Sequence, residues 1–256
     1  FNEIDNAAFT QQDSIIIPLA AITQWPLEMS RYLKDIDPYQ HLVSTSVSHR
    51  DIMGMNSIPY IDFNQKHIYK HTEKIPGIYP DYIQTYGKPY VVGEFGFRWE
   101  DQDVKYAKEA DFDYKRGLWY GMFSPTPILP MSWWWELFDN QHMTPYLRSV
   151  RAISDRMLKD GKGDFEKVPV SAGLLETYAL KCGDTYFVYL LNLNDYTQKS
   201  ALRLHLPGNY HLEQFSPADN ALANRSFTNN FSGEINIPGF SLAGKQETIL
   251  IFSKDK

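Results

Sequence analysis

The sequence contains a single cysteine, Cys182, among its 256 residues. A lone thiol cannot form a disulfide within the chain. No second cysteine and no neighbouring histidine give Cys182 the spacing of a zinc site. The cysteine count therefore excludes a disulfide framework and a cysteine-based zinc centre, and it leaves the redox compartment open.

Long apolar runs and basic clusters are missing too. The longest apolar candidate, Ser14 to Ala21, is broken by Pro18 and is shorter than the roughly 18 residues of a membrane span. The formal net charge is −6, and no lysine- or arginine-rich run is present to neutralise a phosphate backbone. We therefore expect no membrane span and no nucleic acid partner.

The residues that are present suit a globular protein of two domains, which we place at residues 1–160 and 161–256. Hydrophobic residues make up 43% of the chain and aromatic residues 15%, enough to bury a sizeable core. The first domain alternates apolar runs with helical periodicity, which is typical of βα units and a parallel sheet. Its predicted strands are His41 to Ser48, Pro59 to Phe63, Pro89 to Phe95 and Ile128 to Trp135, and its predicted helices are Leu19 to Ile36, Asp103 to Met122 and Thr144 to Lys159.

The second domain has a different pattern, introduced by a glycine-rich, charged segment at 159–167 that suits a linker. Beyond it, short segments alternate apolar with polar residues and are separated by turn clusters, a pattern that predicts an antiparallel β-sandwich. The segments are Glu176 to Leu180, Thr185 to Leu193, Ser200 to Leu206, Glu234 to Ile237 and Glu247 to Phe252.

Glu94 is the first candidate for chemistry, because it ends an otherwise apolar predicted strand just before a glycine-containing turn. Burying an ionised carboxylate costs several kcal/mol unless it is paired or hydrogen-bonded. At the carboxyl end of a strand in a parallel αβ barrel, such a residue is typical of catalysis. The alternative is a structural role, in which Glu94 pairs with a basic neighbour such as Arg98.

A second carboxylate, Glu3, follows Asn2 at the start of the chain. Taken alone the dipeptide is a weak signal, because terminal residues are ordinarily frayed. Together, Glu3 and Glu94 form the pair that glycoside hydrolysis needs, an acid that protonates the leaving oxygen and a carboxylate that attacks the anomeric carbon. Retention of configuration needs a separation of about 5–5.5 Å, and inversion needs roughly 6.5–9.5 Å.

These motifs resemble those of the retaining glycosidases with (β/α)8 barrels, closest in pattern to the cellulase and mannanase type of family 5. In that clan an Asn-Glu pair ends strand four and carries the acid/base, and a Glu before a Gly or aromatic residue ends strand seven as the nucleophile. Asn2-Glu3 and Gly93-Glu94-Phe95-Gly96 match the two motifs. The resemblance therefore implies that Glu3 is the acid/base and Glu94 the nucleophile.

Two further motifs extend the resemblance. The segment from Asp62 to Tyr69 is similar to the strand-six motif, which implies that His67 and Tyr69 line the cleft and that the Tyr69 hydroxyl bonds the nucleophile. Trp133-Trp134-Trp135-Glu136 is similar to the strand-eight motif, which supplies an aromatic floor under the sugar. Trp133 and Trp135 are the candidates for this floor, with Trp135 favoured because it lies nearest the strand end.

Structural packing is the rival interpretation of the tryptophans, because successive strand residues point to opposite faces and at least one of the three belongs in a core. The resemblance further implies that Asn2 bonds the sugar 2-hydroxyl. No cofactor is expected. Nor is a metal, since the four-residue spacing of His67 and His71 lies on a strand running into a loop and lacks a third ligand.

The resemblance implies the C-terminal half of a (β/α)8 barrel followed by an all-β sandwich, because the first motif corresponds to the end of strand four. The missing N-terminal half would come from the same full-length chain or from an associated chain, since four βα units leave open sheet edges. We expect a secreted, periplasmic or cell-surface protein that hydrolyses a β-linked glycan with two glutamates. The alternative is a non-catalytic carbohydrate-binding protein that retains the cleft.

Overall fold

The computed structural model describes residues 2–10, 12–100, 106–125, 129–229 and 234–255. The chain divides by packing into two compact units, residues 1–121 with 128–134 and residues 122–127 with 135–256. We call them the mixed unit and the sheet-rich unit and describe each by itself. This division falls earlier in the chain than the boundary expected at residue 160. Within the described residues no helix is both long enough and apolar enough to cross a membrane.

The mixed unit contains helices and parallel strands in alternation. Helix α2 (Leu19–Ile36) covers the predicted range. Helix α4 (Ala107–Met122) confirms the predicted helix from Ala107 onward, and residues 103–105 lie outside the described part of the chain. Helix α3 was not predicted, because Pro76, Gly77 and Pro80 obscure its pattern; Pro76 lies in the first turn, where a missing N–H is tolerated. The elements are α1 (Ile4–Ala8), α2 (Leu19–Ile36), β1 (Asn64–Tyr69), α3 (Ile75–Tyr86), β2 (Tyr90–Gly96) and α4 (Ala107–Met122).

Four extended segments of this unit lie parallel and in chain order. Strands β1 and β2 pair along six residues. Single parallel bridges add Val47 beside Lys66 and Ser132 beside Phe95. Helix α3 joins β1 to β2, and α4 lies between β2 and the Ser132 segment, which is the βα arrangement that the sequence predicted.

The strand predictions succeed unevenly. The strand predicted at 89–95 is observed as β2. The prediction at 59–63 is wrong, since this stretch is turn and coil and the strand begins at Asn64. The predicted strand at 41–48 reduces to the bridge at Val47, because side chains occupy its backbone groups: Asp62 accepts the Val43 N–H at 2.6 Å. The prediction from 128 to 135 reduces to the bridge at Ser132, and Ile128 lies outside the described residues.

A β-bulge interrupts the pairing of β1 with β2. Lys66 is opposite Val92 and His67 is opposite Glu94, so Gly93 is an extra residue in β2. A Cβ on Gly93 would lie 2.4 Å from Cδ of Gln65, so any larger residue would require the Gln65 side chain to move. The bulge brings Glu94 directly beside His67, in the way that bulges re-aim side chains near active sites.

The sheet-rich unit contains two helices and nine strands among its described residues. Its strands form a six-stranded sheet in the order β3-β4-β5-β11-β7-β8 and a three-stranded sheet in the order β6-β10-β9. The elements are α5 (Trp135–Asn140), α6 (Tyr146–Gly161), β3 (Phe165–Lys167), β4 (Glu176–Cys182), β5 (Thr185–Leu191), β6 (Leu202–Arg203), β7 (Tyr210–Ser216), β8 (Ala221–Arg225), β9 (Thr228–Asn229), β10 (Glu234–Asn236) and β11 (Glu247–Lys254).

One buried core contains side chains from both sheets of this unit. Tyr186, Val188 and Leu190 of β5 enter it together with Leu202 of β6 and Ile235 of β10. All seven residues of β5 are buried, because the opposite face of this central strand is covered as well. The strand predictions at 176–180, 185–193 and 247–252 are confirmed by β4, β5 and β11, with shifted ends.

The linker predicted at 159–167 is wrong in detail. Helix α6 continues to Gly161, and β3 begins at Phe165. Lys162 ends the helix in the left-handed conformation, with φ at 48°.

Strands β7 and β8 were not predicted. Strand β8 is exposed along most of its length, so its sequence lacks the apolar alternation that indicates a strand.

A pair of helical glycines tests the packing that holds β2 in the mixed unit. A Cβ on Gly117 of α4 would lie 2.2 Å from the buried ring of Phe95. We predict that Gly117→Ala lowers the free energy of unfolding by about 1–3 kcal/mol through overpacking. The measurement is urea denaturation followed by circular dichroism.

Gly77 of α3 is the matched control, because nothing lies within 4 Å of a Cβ at that position. Gly77→Ala is expected to raise stability by about 0.5–1 kcal/mol, since alanine is the better helix former. Equal effects of the two substitutions would contradict the observed contact between α4 and β2.

Candidate active site

Two glutamates from distant parts of the mixed unit meet at one histidine. Nδ1 of His67 lies 2.9 Å from Oε1 of Glu3 and 3.2 Å from Oε2 of Glu94. One donor atom from each of the three side chains lies within 4.8 Å of the other two. The structure therefore brings together residues that are 91 positions apart in the sequence (94 − 3).

The strands explain the position of His67, Tyr69 and Glu94. His67 and Tyr69 are two residues apart on β1 and so share a face, and the bulge at Gly93 sets Glu94 next to them. The Tyr69 hydroxyl donates a hydrogen bond of 2.7 Å to Oε2 of Glu94. This contact is the one that the family resemblance implied for Tyr69.

Glu94 is almost buried, at 8% exposure, yet it is held as a carboxylate. Burial is the largest single influence on its pKa and acts to raise it. Hydrogen bonds from His67, Tyr69 and Asn2, with the positive charge of His67, outweigh burial and lower the pKa of Glu94 below its ordinary value. An ionised carboxylate with this exposure can act as a nucleophile.

The pKa of His67 is shifted in the opposite direction to that of Glu94. Burial acts to lower its pKa, but its hydrogen bonds to Glu94 and Glu3 and their charges raise the pKa above the ordinary value. Its side chain is 1% exposed. A protonated imidazole between two carboxylates neutralises part of their mutual repulsion and allows them to lie close together.

Glu3 has an unusual backbone. Its φ of 49° and ψ of 55° fall in the left-handed region, which residues with a side chain rarely adopt. Oε2 of Glu3 accepts a hydrogen bond of 2.8 Å from Nδ2 of Asn6. Its side chain is 25% exposed, so one of the two carboxylates is more open to solvent than the other.

The segment after Val47 fixes the turn that contains Glu3. The carboxylate of Asp5, which is fully buried, accepts backbone hydrogen bonds from Ser48 at 2.7 Å and from His49 and Arg50 at 3.1 Å. Ile4 and Ala8 of α1 pack with Val47 in one apolar cluster. Residues 2–8 are thus well anchored, contrary to the fraying that chain ends ordinarily show.

Sequence reasoning missed Asp5 and also Ser46, whose hydroxyl contacts both Asn2 and Glu3. Their partners lie more than 40 positions away. A single sequence gives no sign of such a pairing. Asp5 does follow Asn2-Glu3-Ile4, and an acidic residue within a largely buried helix turn is the one signal that was available.

The same three side chains are the group of described residues whose donor atoms are close enough for a metal ion. The site has another explanation, because Nδ1 of His67 lies 2.9 Å and 3.2 Å from oxygens of the two carboxylates. Tyr69 adds a hydrogen bond to Glu94. His71 is not in the group; its Nδ1 lies 3.1 Å from Oε1 of Glu73.

The three consecutive tryptophans do not lie on one strand. Trp133 follows the bridge at Ser132, donates its N–H to the Phe95 carbonyl at 3.1 Å, and is 47% exposed. Trp134 packs against Gly96 and donates Nε1–H to the Arg98 carbonyl at 2.6 Å. Trp135 begins α5 and belongs to the sheet-rich unit. The placement of Trp135 on a strand is therefore wrong, since the chain turns away after Ser132.

Another exposed aromatic side chain follows β2 in the mixed unit. Trp99 is 60% exposed, and Nζ of Lys70 lies 3.7 Å from its ring centroid. Sequence reasoning did not identify it. Its position shortly after Glu94, beyond a glycine-containing turn, was the signal that was available.

No protein-family model and no curated protein match the sequence. Solved structures do match. A glycoside hydrolase family 5 protein from Bacteroides vulgatus has a TM-score of 0.62 at 15% identity, with 88% of this chain and 58% of that chain covered. A family 44 xyloglucanase from Paenibacillus polymyxa gives 0.59 at 8% identity, with 99% and 65% covered.

A third similar structure is a family 30 endoxylanase from Clostridium papyrosolvens, with a TM-score of 0.53 at 13% identity and 98% and 64% of the two chains covered. The chain shares its fold with part of each of these structures. Identities this low show the fold alone, and the likeness extends over three families. The chain spans between 58% and 65% of the length of these structures.

The shared imidazole predicts a pH dependence of stability, measured on the wild type and on His67→Gln. The pKa of His67 is higher in the folded state than its ordinary value of 6.5. Its contribution to the free energy of unfolding is therefore complete below pH 6.5 and is lost as the pH rises through the folded-state pKa. The pKa of Glu94 is lower in the folded state than its ordinary value of 4.5. Its contribution to the free energy of unfolding is therefore present above pH 4.5 and is lost as the pH falls through the folded-state pKa.

We therefore expect the stability difference between wild type and His67→Gln to be greatest between pH 4.5 and 6.5 and to shrink at higher pH. Urea denaturation across that range measures it. His205→Gln, at an exposed position of the sheet-rich unit, is the control and should show no such profile. A difference that grows toward alkaline pH would contradict the shared proton.

Proposed function

We propose that this protein hydrolyses β-glycosidic bonds in a polysaccharide or oligosaccharide with retention of configuration. The observation that supports this most strongly is the Glu3, His67 and Glu94 group, whose donor atoms lie within 4.8 Å of one another. One oxygen of Glu3 and one of Glu94 therefore lie within 4.8 Å of each other, which is nearer to the roughly 5–5.5 Å spacing of retaining glycosidases than to the roughly 6.5–9.5 Å of inverting ones. The fold that the chain shares with glycoside hydrolases supports the same reaction class.

In the proposed reaction Glu3 takes the Nδ1 proton of His67, 2.9 Å away, and passes it to the leaving oxygen while Glu94 attacks the anomeric carbon, so the glycosidic bond breaks as the bond to Glu94 forms. Glu3, now a carboxylate, removes a proton from water, which attacks the same carbon and releases Glu94. Lowering the pKa of Glu94 keeps it ionised for the first step. Partial exposure of Glu3 gives the leaving group and the water access to it.

Substrate binding is assigned to Asn2, His67, Tyr69, Trp133 and Trp135. The exposed face of Trp133 suits the axial C–H surface of a pyranose ring, which stacks on aromatic rings. Asn2 is exposed beside Glu94 and is assigned to the sugar 2-hydroxyl. Trp135 is exposed at 65% but lies in the other compact unit, so Trp133 is the stronger of the two tryptophan assignments.

The finer assignment is an endo-acting β-glycanase of the cellulase and mannanase type, acting without a cofactor at the cell surface or outside the cell. We propose that further βα units complete the barrel, from the same full-length chain or an associated one, and that residues 161–256 form a β-sandwich. The coverage of 58–65% supports this. So do the outer segments at Val47 and Ser132, each paired on one side among the described residues.

Removing the nucleophile tests the proposal directly. In the intact protein Glu94→Ala should reduce hydrolysis by more than about 10³-fold. Azide should restore turnover of an aryl β-glycoside, because it fills the space of the missing carboxylate and attacks in its place. Release of the aryl group is the measurement, and Glu28→Ala, at an exposed carboxylate that bonds Gln24 at 2.6 Å, is the control. Unchanged activity of Glu94→Ala would contradict the assignment.

A second candidate function is carbohydrate binding without hydrolysis. The exposed rings of Trp99 and Trp133 favour it, since both lie in the mixed unit and neither needs the carboxylates to bind a sugar. Isothermal titration and product analysis on the same β-glycans separate the two functions. Binding with no product from the wild-type protein would support the second and contradict the first.

A further inference from the structure

Ser46 lies beside the Asn2-Glu3 pair and is 3% exposed. Its hydroxyl accepts a hydrogen bond of 2.9 Å from the Glu3 N–H and donates one of 2.9 Å to Oδ1 of Asn2. Its carbonyl oxygen accepts the Ile4 N–H at 3.3 Å. One buried residue thus contacts the backbone of Glu3 and the side chain of Asn2.

The hydroxyl fixes the orientation of the Asn2 amide. A serine hydroxyl has a single proton to donate, and within the amide only Oδ1 can accept it. With Oδ1 directed at Ser46, the Nδ2 donors of Asn2 are left for other partners. Ser46 therefore determines which end of the Asn2 amide faces away from it.

The same hydroxyl helps to hold the backbone of Glu3. A left-handed conformation at a residue with a side chain persists when the surrounding contacts over-determine it. At Glu3, where φ is 49°, the contacts are the N–H of Glu3 on the Ser46 hydroxyl and the N–H of Ile4 on the Ser46 carbonyl. This conformation directs the Glu3 carboxylate toward Nδ1 of His67.

We propose that Ser46 is a positioning residue for Glu3, acting through the backbone of Glu3, and that the same hydroxyl orients the amide of Asn2. The proposal rests on the proposed function of Glu3 and Glu94. Ser46 contacts neither reacting carboxylate with its own side chain, so its effect is on geometry. Misplacement of a catalytic group by about 1 Å can cost about 100-fold in rate.

The substitutions Ser46→Thr and Ser46→Val isolate the hydroxyl, because threonine and valine have nearly the same shape. Any cost of fitting the larger side chain is shared by both variants. We expect Val to have a kcat about 10- to 100-fold lower than Thr on a glycoside with a poor leaving group, with KM changed little. Loss of the hydroxyl leaves the sugar-stacking side chains in place, so binding should persist.

The leaving group provides a readout that general loosening would not move. Hydrolysis of a poor leaving group needs the proton of Glu3, whereas an activated aryl leaving group departs without it. The factor by which the kcat of Ser46→Val falls below that of Ser46→Thr should therefore be smaller on the activated substrate. Thermal unfolding of both variants checks that each is folded at the assay temperature.

Ser44→Ala is the matched control for Ser46→Ala. Ser44 lies two residues earlier on the same segment, and its hydroxyl oxygen lies 2.9 Å from the backbone carbonyl oxygen of Phe63 and 3.1 Å from that of Thr45, so its one proton has a backbone acceptor. We expect Ser46→Ala to lower kcat and Ser44→Ala to leave it near wild type. Equal kcat for the Thr and Val variants, or an equal deficit on both substrates, would overturn the positioning role while wild-type hydrolysis stands. Absence of hydrolysis by the wild type would overturn the proposed function and, with it, this role.

Discussion

The contact on which the site depends is the approach of one nitrogen of His67 to two carboxylates. Like charges within 4.8 Å of each other repel, and burial of Glu94 increases that repulsion by reducing screening by water. A protonated imidazole between them removes the conflict, with Nδ1 at 2.9 Å and 3.2 Å from the two oxygens. Without this cation, two glutamates so close together would favour the protonation of one of them.

The fold is arranged around that contact. The bulge at Gly93 sets Glu94 beside His67, while Asp5 and Ser46 anchor the turn that brings Glu3 from the start of the chain. Tyr69 and Asn2 then add donors to Glu94 alone. The two carboxylates therefore occupy different environments, one almost buried and rich in donors, the other more open to solvent, and this difference supports their proposed division into nucleophile and acid/base.

Local patterns were enough to predict the elements with strong periodicity, such as α2 and β2. They failed where side chains replace the strand ladder, as at Val43 and Asp62, and where the chain leaves the sheet after Ser132. The pairing of Glu3 with Glu94 came from the family resemblance, because neither spacing nor composition indicates which distant residues meet. The roles of Ser46 and Asp5 were not predicted, because their contacts are also with residues far away in the sequence.

Covalent labelling tests the central claim most directly. A 2-deoxy-2-fluoro β-glycoside with an activated leaving group slows the second step of a retaining reaction more than it slows attack by the nucleophile, so the glycosyl-enzyme accumulates. Mass spectrometry of proteolytic peptides from the intact protein then locates the label. The proposed mechanism predicts a label on Glu94 within the peptide that contains Gly93-Glu94-Phe95; a label on Glu3, or on a carboxylate outside the His67 contact, would contradict it.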